Sequence, residues 1–394
     1  MIGIGSLNQI SNKVLIEILR LIISSDNELK IDISNNNFNL SEIINSEMFI
    51  RNIFKHKLAS FFARNSYLEN FDQIYKEQIL KKFHQDVKDN LLKLSVIKSI
   101  DDILGEESVN RIFFKGLPLS IQTTGSIFLR GGSSDIDILI EEKNLIKVVN
   151  TLEKYGFITF KKNNPQLFNN KMGKYSRFIS PEMSLYKKIN NRFIFLDIHW
   201  RLSWIRDGLP SIDNKIRTKY IKLANNKSIH TLVEYDSFLL TCAHSSIDGW
   251  MCLRDLIDIQ RLYQLLNKKE KIESIKFRYV RWSLLIVDNL FDSKNNEKNK
   301  IKKYTNQIFV NHAKYNQKST WRHLNSKYWN IKDKITQLLR ILFITKLFKD
   351  KLSIICELIL PERNLMKNNR KYSNFLDLVI LRILQLLKRI KERP

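Results

Sequence analysis

Residues 133–140 read Ser-Ser-Asp-Ile-Asp-Ile-Leu-Ile, so polar and apolar residues alternate before the segment becomes continuously apolar. This pattern predicts a mostly buried β-strand from Asp135 onward. Successive side chains of a strand point to opposite faces, so Asp135 and Asp137 share one face while Ile136 and Ile138 face the core. Two aspartates side by side on such a strand are costly unless cations neutralise them, and Mg²⁺ prefers oxygen ligands. An exposed acidic strand edge is the alternative, which the apolar end of the segment disfavours.

A third carboxylate belongs to the run Phe-Ile-Phe-Leu-Asp-Ile-His-Trp at residues 193–200, where Asp197 interrupts an apolar strand. A buried aspartate in such a run needs a partner. We predict that Asp135, Asp137 and Asp197 are the catalytic residues and that they hold two Mg²⁺ ions, for which Mn²⁺ can substitute. For Asp197, a hydrogen-bonded core carboxylate without a metal role is the alternative.

Several residues upstream of the aspartates suit a triphosphate. Lys115-Gly116 ends the short apolar strand 112–114, and a glycine there lets the backbone approach a phosphate. Arg130 carries forked donors that match phosphate oxygens. The segment 131–134, Gly-Gly-Ser-Ser, has the freedom to fold around a ligand. The predicted nucleotide-binding residues are Lys115, Gly116, Arg130, Ser133 and Ser134.

The hydrophobic periodicity divides the chain into three regions. It predicts an N-terminal helical region over residues 1–104, an α/β core over 105–205 and a C-terminal helical region over 206–394. Residues 290–303 are predicted to be an exposed loop. The predicted helices span residues 13–25, 48–64, 74–103, 144–155, 237–246, 253–266, 335–348 and 376–390, and the predicted strands span residues 112–114, 135–140, 157–160 and 193–198.

The order of these motifs resembles that of the polymerase-β-type nucleotidyltransferase superfamily, and more narrowly a widespread, poorly characterised bacterial branch of it. The resemblance covers residues 75–270 and implies an α+β fold, in which helical regions at both ends flank a small mixed β-sheet. The matching elements are Lys115-Gly116, Arg130, the pair Asp135 and Asp137, a helix ending at Tyr155-Gly156-Phe157, Asp197-Ile198-His199-Trp200, Cys242-Ala243-His244, Trp250 and Asp258.

One feature departs from the better-known members of the superfamily, which carry Gly-Ser about ten residues before the first aspartate. Gly125-Ser126 stands at that distance here. We favour Lys115-Gly116 as the phosphate-binding element, because it follows a clear strand and matches the narrower branch. If the two elements exchanged roles, the phosphate contacts would change but the carboxylates would not.

Three further residues are candidates for substrate contacts. His199 shares the predicted strand face of Asp197, His244 lies on a predicted helix, and Asp258 matches the resembling branch. Each has a structural alternative. A histidine is often a hydrogen-bonded, half-buried residue, and Arg254 or Arg261 is placed to pair with Asp255 and Asp258 on one helix.

The resemblance implies an enzyme that moves a nucleoside monophosphate from an NTP, with ATP the first candidate, to a hydroxyl or similar nucleophile of a small molecule, sugar or peptide, releasing pyrophosphate. Two other functions remain open from the sequence. One is a kinase-like phosphotransferase on the same site, since both chemistries use Mg²⁺ and a triphosphate. The other is a non-catalytic basic protein that binds nucleotides or polyanions, which the complete carboxylate set disfavours.

The formal net charge of +26 is compatible with a polyanionic partner or with biased coding composition. No strand interleaves aromatic and basic residues as an RNA-binding sheet does, so nucleic acid is the less favoured partner. The basic helix predicted over 376–390 suits peripheral membrane contact, although docking by its apolar face is the commoner outcome.

Cysteine usage and hydropathy bear on the compartment. The three cysteines show neither disulfide nor metal-ligand spacing, so we expect no disulfide-linked partner. The N-terminus lacks the pattern of a signal peptide. The sequence therefore predicts a cytoplasmic protein.

Overall fold

The structure is a computed structural model, in which residues 11, 14–19, 40–133, 135–159, 167, 169, 171–212, 216–222, 228–291, 342, 344–347 and 351 are described. Helices dominate the N-terminal part of these residues, and residues 14–19 are helical as predicted. The other described α-helices are Leu40–Ile44, Glu47–Lys55, Ala59–Phe62, Gln73–Glu106, Gly116–Thr124, Leu145–Lys154, Lys171–Ile179, Glu234–Ile247, Leu253–Leu265, Lys268–Ser274 and Arg278–Phe291.

The strands of the described residues form one mixed sheet. In chain order they are β1 (Arg111–Phe114), β2 (Asp135–Ile140), β3 (Ile158–Thr159), β4 (Glu182–Ile189), β5 (Arg192–His199), β6 (Thr218–Lys222) and β7 (Ser228–Leu232). Their order across the sheet is β3-β4-β5-β2-β1-β7-β6. β2 pairs with β5 and β1 with β7 in parallel, and the other neighbours are antiparallel. The predicted α+β fold with a mixed sheet is confirmed.

The centre of the sheet follows the alternation that the sequence predicts. Ile136 and Ile138 of β2 are buried, and so are Leu196 and Ile198 of β5. β2 is hydrogen-bonded on both sides, by β1 and by β5. Because the pleat fixes which side chains share a face, this pairing presents the aspartates of β2 on the face opposite these aliphatic residues.

The chain divides into two compact units. The described residues within Met1–Ser95, Gly116–Ser133 and Ser237–Arg340 form a unit of helices, called here the helical unit. Those within Val96–Lys115, Ser134–Asp236 and Ile341–Pro394 contain all the described strands and form the sheet unit.

The sheet extends further along the chain than the sequence predicted. β6 and β7 lie beyond residue 205, so the predicted C-terminal region 206–394 is not helical throughout. Both strands are short, and β6 is a sheet edge with one buried residue, Ile221, so no hydrophobic periodicity marks it.

Other predictions fall wholly or largely outside the described residues. These are the helices over 335–348 and 376–390 and the loop over 290–303, whose first two residues end the helix Arg278–Phe291. No helix among the described residues is long and apolar enough to span a membrane.

Candidate active site

Three carboxylates meet on one face of the sheet unit. In the parallel pairing of β2 and β5, Asp137 lies directly opposite Asp197, and Asp135 lies opposite Phe195. Residues two apart on a strand share a face, so Asp135, Asp137 and Asp197 project to the same side. The sequence analysis placed the two aspartates of β2 on one face, and the register now adds the third beside them.

Asp137 is the most buried of the three, with 3% of its surface exposed. Its Oδ1 accepts a hydrogen bond from Lys115 Nζ at 2.7 Å and lies 3.0 Å from His199 Nε2. Burial alone raises the pKa of Asp137, but Lys115 and His199 outweigh burial and hold this pKa well below its ordinary value. Asp137 is therefore ionised and already paired with a cation.

Lys115 reaches Asp137 from an unusual backbone conformation. Its φ is 55° and that of the next residue, Gly116, is 33°, so the strand ends in two consecutive left-handed residues. A non-glycine residue in this region costs about 1 kcal/mol or more and persists only where the surroundings enforce it. The ion pair with Asp137 is a contact that favours this strained backbone conformation of Lys115. Although burial lowers the pKa of Lys115, Asp137 and Glu182 raise it above its ordinary value.

Asp197 is in the opposite electrostatic state. Burial raises its pKa, and nearby Glu182, Asp137 and Asp135 add to the rise, whereas a hydrogen bond with Ser184 opposes it, so that the pKa stands at about 6. Ser184 is its direct neighbour on β4. Asp197 therefore titrates about two pH units above an ordinary aspartate and is protonated in part at mildly acidic pH.

His199 connects this cluster to a further acid that the sequence analysis missed. The imidazole is 1% exposed, and its Nδ1 lies 3.3 Å from Glu182 Oε2 without the alignment of a hydrogen bond. Its ring packs edge-on against Phe114, with the ring centroids 4.9 Å apart. Glu182 pairs with His199 across β4 and β5. The pairing of β4 with β5 identifies Glu182, and it could not be inferred from the sequence because β4 was not predicted.

Aromatic residues continue the carboxylate face along the strands. Phe193 and Phe195 follow the two-residue period of Asp197, and Tyr186 lies opposite Phe195 on β4. Phe193 is 56% exposed, and its ring centroid lies 5.8 Å from that of Tyr186. The face thus offers an apolar platform beside acidic groups, suited to a flat or apolar part of a ligand.

The three carboxylates are the type of ligand that a hard cation prefers, but they are not arranged around a metal position. Asp135, Asp137 and Asp197 supply carboxylate oxygens, and the raised pKa of Asp197 reflects its burial and, after that, the negative charge of its neighbours. Among the described residues, however, no three His, Cys, Asp or Glu side chains are already arranged to hold a metal ion. The cation beside Asp137 is Lys115.

Arg130 takes part in a different cluster, in the helical unit. Its Nε donates to Asp258 Oδ2 at 2.6 Å, and its Nη2 lies 3.3 Å from Asp255 Oδ1. Arg130 and Asp258 are 8% and 1% exposed. Arg254 also pairs with Asp255, at 2.7 Å, as the sequence analysis considered. Two residues predicted to contact ligands, Arg130 and Asp258, thus contact each other.

The remaining predicted residues are placed as follows. Gly116 begins the helix Gly116–Thr124, and Gly125, with φ 69°, follows the end of that helix. The carbonyl oxygen of Ser133 accepts a hydrogen bond from Lys93, and Ser134 lies outside the described residues. His244 is half-exposed, with its Nδ1 3.2 Å from Asp248 Oδ2.

The predicted site residues therefore fall into two groups. Lys115, Asp135, Asp137, Asp197 and His199 come together in the sheet unit. Gly116, Arg130, Ser133, His244 and Asp258 belong to the helical unit.

A family model described as an uncharacterised nucleotidyltransferase matches residues 44–285, more than half of the chain. A search of curated proteins found no match.

Proposed function

The chain belongs to the uncharacterised nucleotidyltransferase family, and we propose that it moves a nucleoside monophosphate from an NTP, with ATP the first candidate, to a hydroxyl or similar nucleophile of a small molecule, sugar or peptide. Membership makes the chain a transferase of the nucleotidyl type, whereas the donor, the acceptor and the metal belong to our proposal. The observation that carries it is the carboxylate face, where Asp137 and Asp197 lie side by side on parallel strands and Asp135 shares their face.

In the proposed reaction, the acceptor oxygen attacks the α-phosphorus of the NTP. The bond from that phosphorus to the α,β-bridging oxygen breaks, and pyrophosphate leaves. The acceptor hydroxyl must also lose its proton to solvent, and a cation held by Asp197 would favour this loss by lowering the pKa of the hydroxyl.

Asp135, Asp137 and Asp197 would hold the proposed two Mg²⁺ ions, or Mn²⁺. Such ions polarise phosphate oxygens and lower the pKa of a bound hydroxyl. Lys115 neutralises Oδ1 of Asp137 here, so a cation at that oxygen competes with Lys115. A Lys115 ammonium that left Asp137 would be available to the triphosphate, in keeping with its predicted nucleotide-binding role.

The position of the transferred label separates nucleotidyl transfer from phosphoryl transfer. The full-length protein is incubated with Mg²⁺, a pooled small-molecule extract and ATP labelled on either the α- or the γ-phosphate. We expect product labelled from α-labelled ATP only, heavier than the acceptor by one nucleoside monophosphate. Product labelled from γ-labelled ATP would contradict the proposal and indicate a kinase-like reaction.

A further inference from the structure

A lysine that the sequence analysis did not single out lies over the glycine loop of the helical unit. Lys57 joins the helices Glu47–Lys55 and Ala59–Phe62 and has a φ of 59°. Its side chain packs on Gly132 so closely that a Cβ atom there would lie 2.9 Å from the Lys57 Cγ and Cδ atoms. Gly132 itself has a φ of 71°, a conformation that favours glycine.

The glycine loop is held by cations through its carbonyl groups. Arg254 Nη1 donates to the carbonyl oxygen of Gly131 at 2.8 Å, and Lys93 donates to that of Ser133. Within the described part of the chain, the backbone N–H groups of Gly131 and Gly132 make no hydrogen bond. Successive free N–H groups around a left-handed residue form a concavity that binds anions.

Among the described residues, the two arginines at the loop are ion-paired, whereas Lys57 is not. Arg130 and Arg254 are matched by Asp258 and Asp255, at 2.6 and 2.7 Å. Lys57 is exposed and makes no ion pair within 4 Å among the residues that the structure describes, although the nearby Asp255 carboxylate attracts it. Burial and repulsion from Arg254 and Arg130 lower the pKa of Lys57, although Asp255 opposes the change. An added anion beside Lys57 would relieve this repulsion.

A buried hydroxyl points to the same place. Ser60 is 1% exposed, and its Oγ has no hydrogen-bond partner in the described structure. This atom lies against Gly131, where a Cβ would be 2.5 Å from it. The Asp86 carboxylate lies against the same glycine, and Lys82 neutralises it through an ion pair of 2.6 Å. Buried hydroxyls are normally hydrogen-bonded, so an unpaired one beside a loop with free N–H groups is consistent with an absent ligand.

We propose that Lys57, with the N–H groups of Gly131 and Gly132, forms a phosphate-binding site of the helical unit. The ligand chemistry is that of phosphate groups, in an NTP or in pyrophosphate. The assignment to the NTP rests on the proposed function, and it is favoured because Gly132 precedes Asp135 by only three residues in the sequence.

Calorimetric titration of the full-length protein tests this site with three probes: pyrophosphate, ATP and adenosine. Charge-assisted hydrogen bonds are about twice as strong as neutral ones, so Lys57→Ala should weaken pyrophosphate and ATP binding about tenfold or more. Adenosine binding should stay unchanged, and Lys57→Arg should retain most of the phosphate affinity. Lys269→Ala is the matched control, because it removes another exposed lysine from the same unit.

Two results would overturn the inference. One is a Lys57→Ala protein that binds pyrophosphate as tightly as Lys269→Ala does. The other is an equal loss of adenosine affinity, which would indicate a general effect on the fold. Either outcome leaves the proposed nucleotidyl transfer untouched if wild-type protein still transfers label from α-labelled ATP, so the two proposals fail separately.

Discussion

Asp137 and Asp197 are neighbours on parallel strands, yet their carboxyl groups titrate in opposite directions. Lys115 and His199 both contact Asp137 and lower its pKa, whereas Asp197 has only the Ser184 hydrogen bond against burial and three nearby acids. The site therefore keeps the Asp137 carboxylate charged and paired, whereas the pKa of Asp197 is raised to about 6. Perturbed pairs of this kind are typical of catalytic sites.

The raised pKa of Asp197 predicts a stability cost that appears as the pH rises. Unfolded aspartate has a pKa of about 3.9, so between about pH 4 and pH 6 the folded protein binds more protons and loses stability with increasing pH. Asp197→Asn avoids this loss. In the absence of divalent cations, it should raise the free energy of unfolding by about 1–2 kcal/mol at pH 7.5 and change it little at pH 4.5.

Urea unfolding of both proteins at the two pH values measures this difference. Millimolar Mg²⁺ should stabilise the wild-type protein and reduce the advantage of the variant at pH 7.5, because bound cations neutralise the same charge. Equal stability of the two proteins at pH 7.5 without Mg²⁺ would show that ionised Asp197 does not lower the free energy of unfolding as expected.

Between elements of the helical unit, a buried ion pair joins Arg130, ahead of β2 in sequence, to Asp258 of the helix Leu253–Leu265. Removing one partner of a buried ion pair leaves an uncompensated charge. Arg130→Met should therefore destabilise the protein by about 3–5 kcal/mol, and the double variant Arg130→Met/Asp258→Leu should recover much of that loss.

Chemical denaturation of the single and double variants tests the pair. It also bears on the nucleotide-binding role predicted for Arg130. If Arg130→Met kept wild-type stability but weakened ATP binding, the guanidinium would serve the ligand and not the fold.

Sequence patterns identified the elements whose hydrophobic period is complete. β2 and β5 have buried aliphatic residues at every second position, and the helix Gln73–Glu106 has a long helical period. β4 also alternates, with Met183 and Leu185 buried, but its two lysines and half-exposed face hide the pattern. The helix Gly116–Thr124 was missed because glycine and proline occupy its first turn, where proline is tolerated.

The site residues that the sequence could predict are likewise those marked by a local pattern. Asp135, Asp137 and Asp197 were predictable because each stands out in an apolar strand. Glu182 was not, since its relevance depends on the pairing of β4 with β5. The link between Arg130 and Asp258 spans 128 positions in the sequence, and no local pattern indicates which of several arginines forms it.

For the whole molecule, the family match is wider than the predicted core. It spans residues 44–285, so it includes helices on both sides of the region 105–205. Lys57 and Asp258 both fall inside it, which agrees with a functional contribution from the flanking helices. The net charge of +26 favours anions in general, and for this reason each lysine variant needs a control that removes the same charge elsewhere.

The most direct test of the central claim is the rate at which Asp135→Asn and Asp137→Asn transfer nucleotide from α-labelled ATP in the presence of Mg²⁺. If these carboxylates form the catalytic centre, both variants should lose at least about 100-fold in rate. Asp72→Asn, which removes an exposed carboxylate of the helical unit, should retain the wild-type rate. Wild-type, Mg²⁺-dependent product formation by Asp135→Asn and Asp137→Asn would contradict the account.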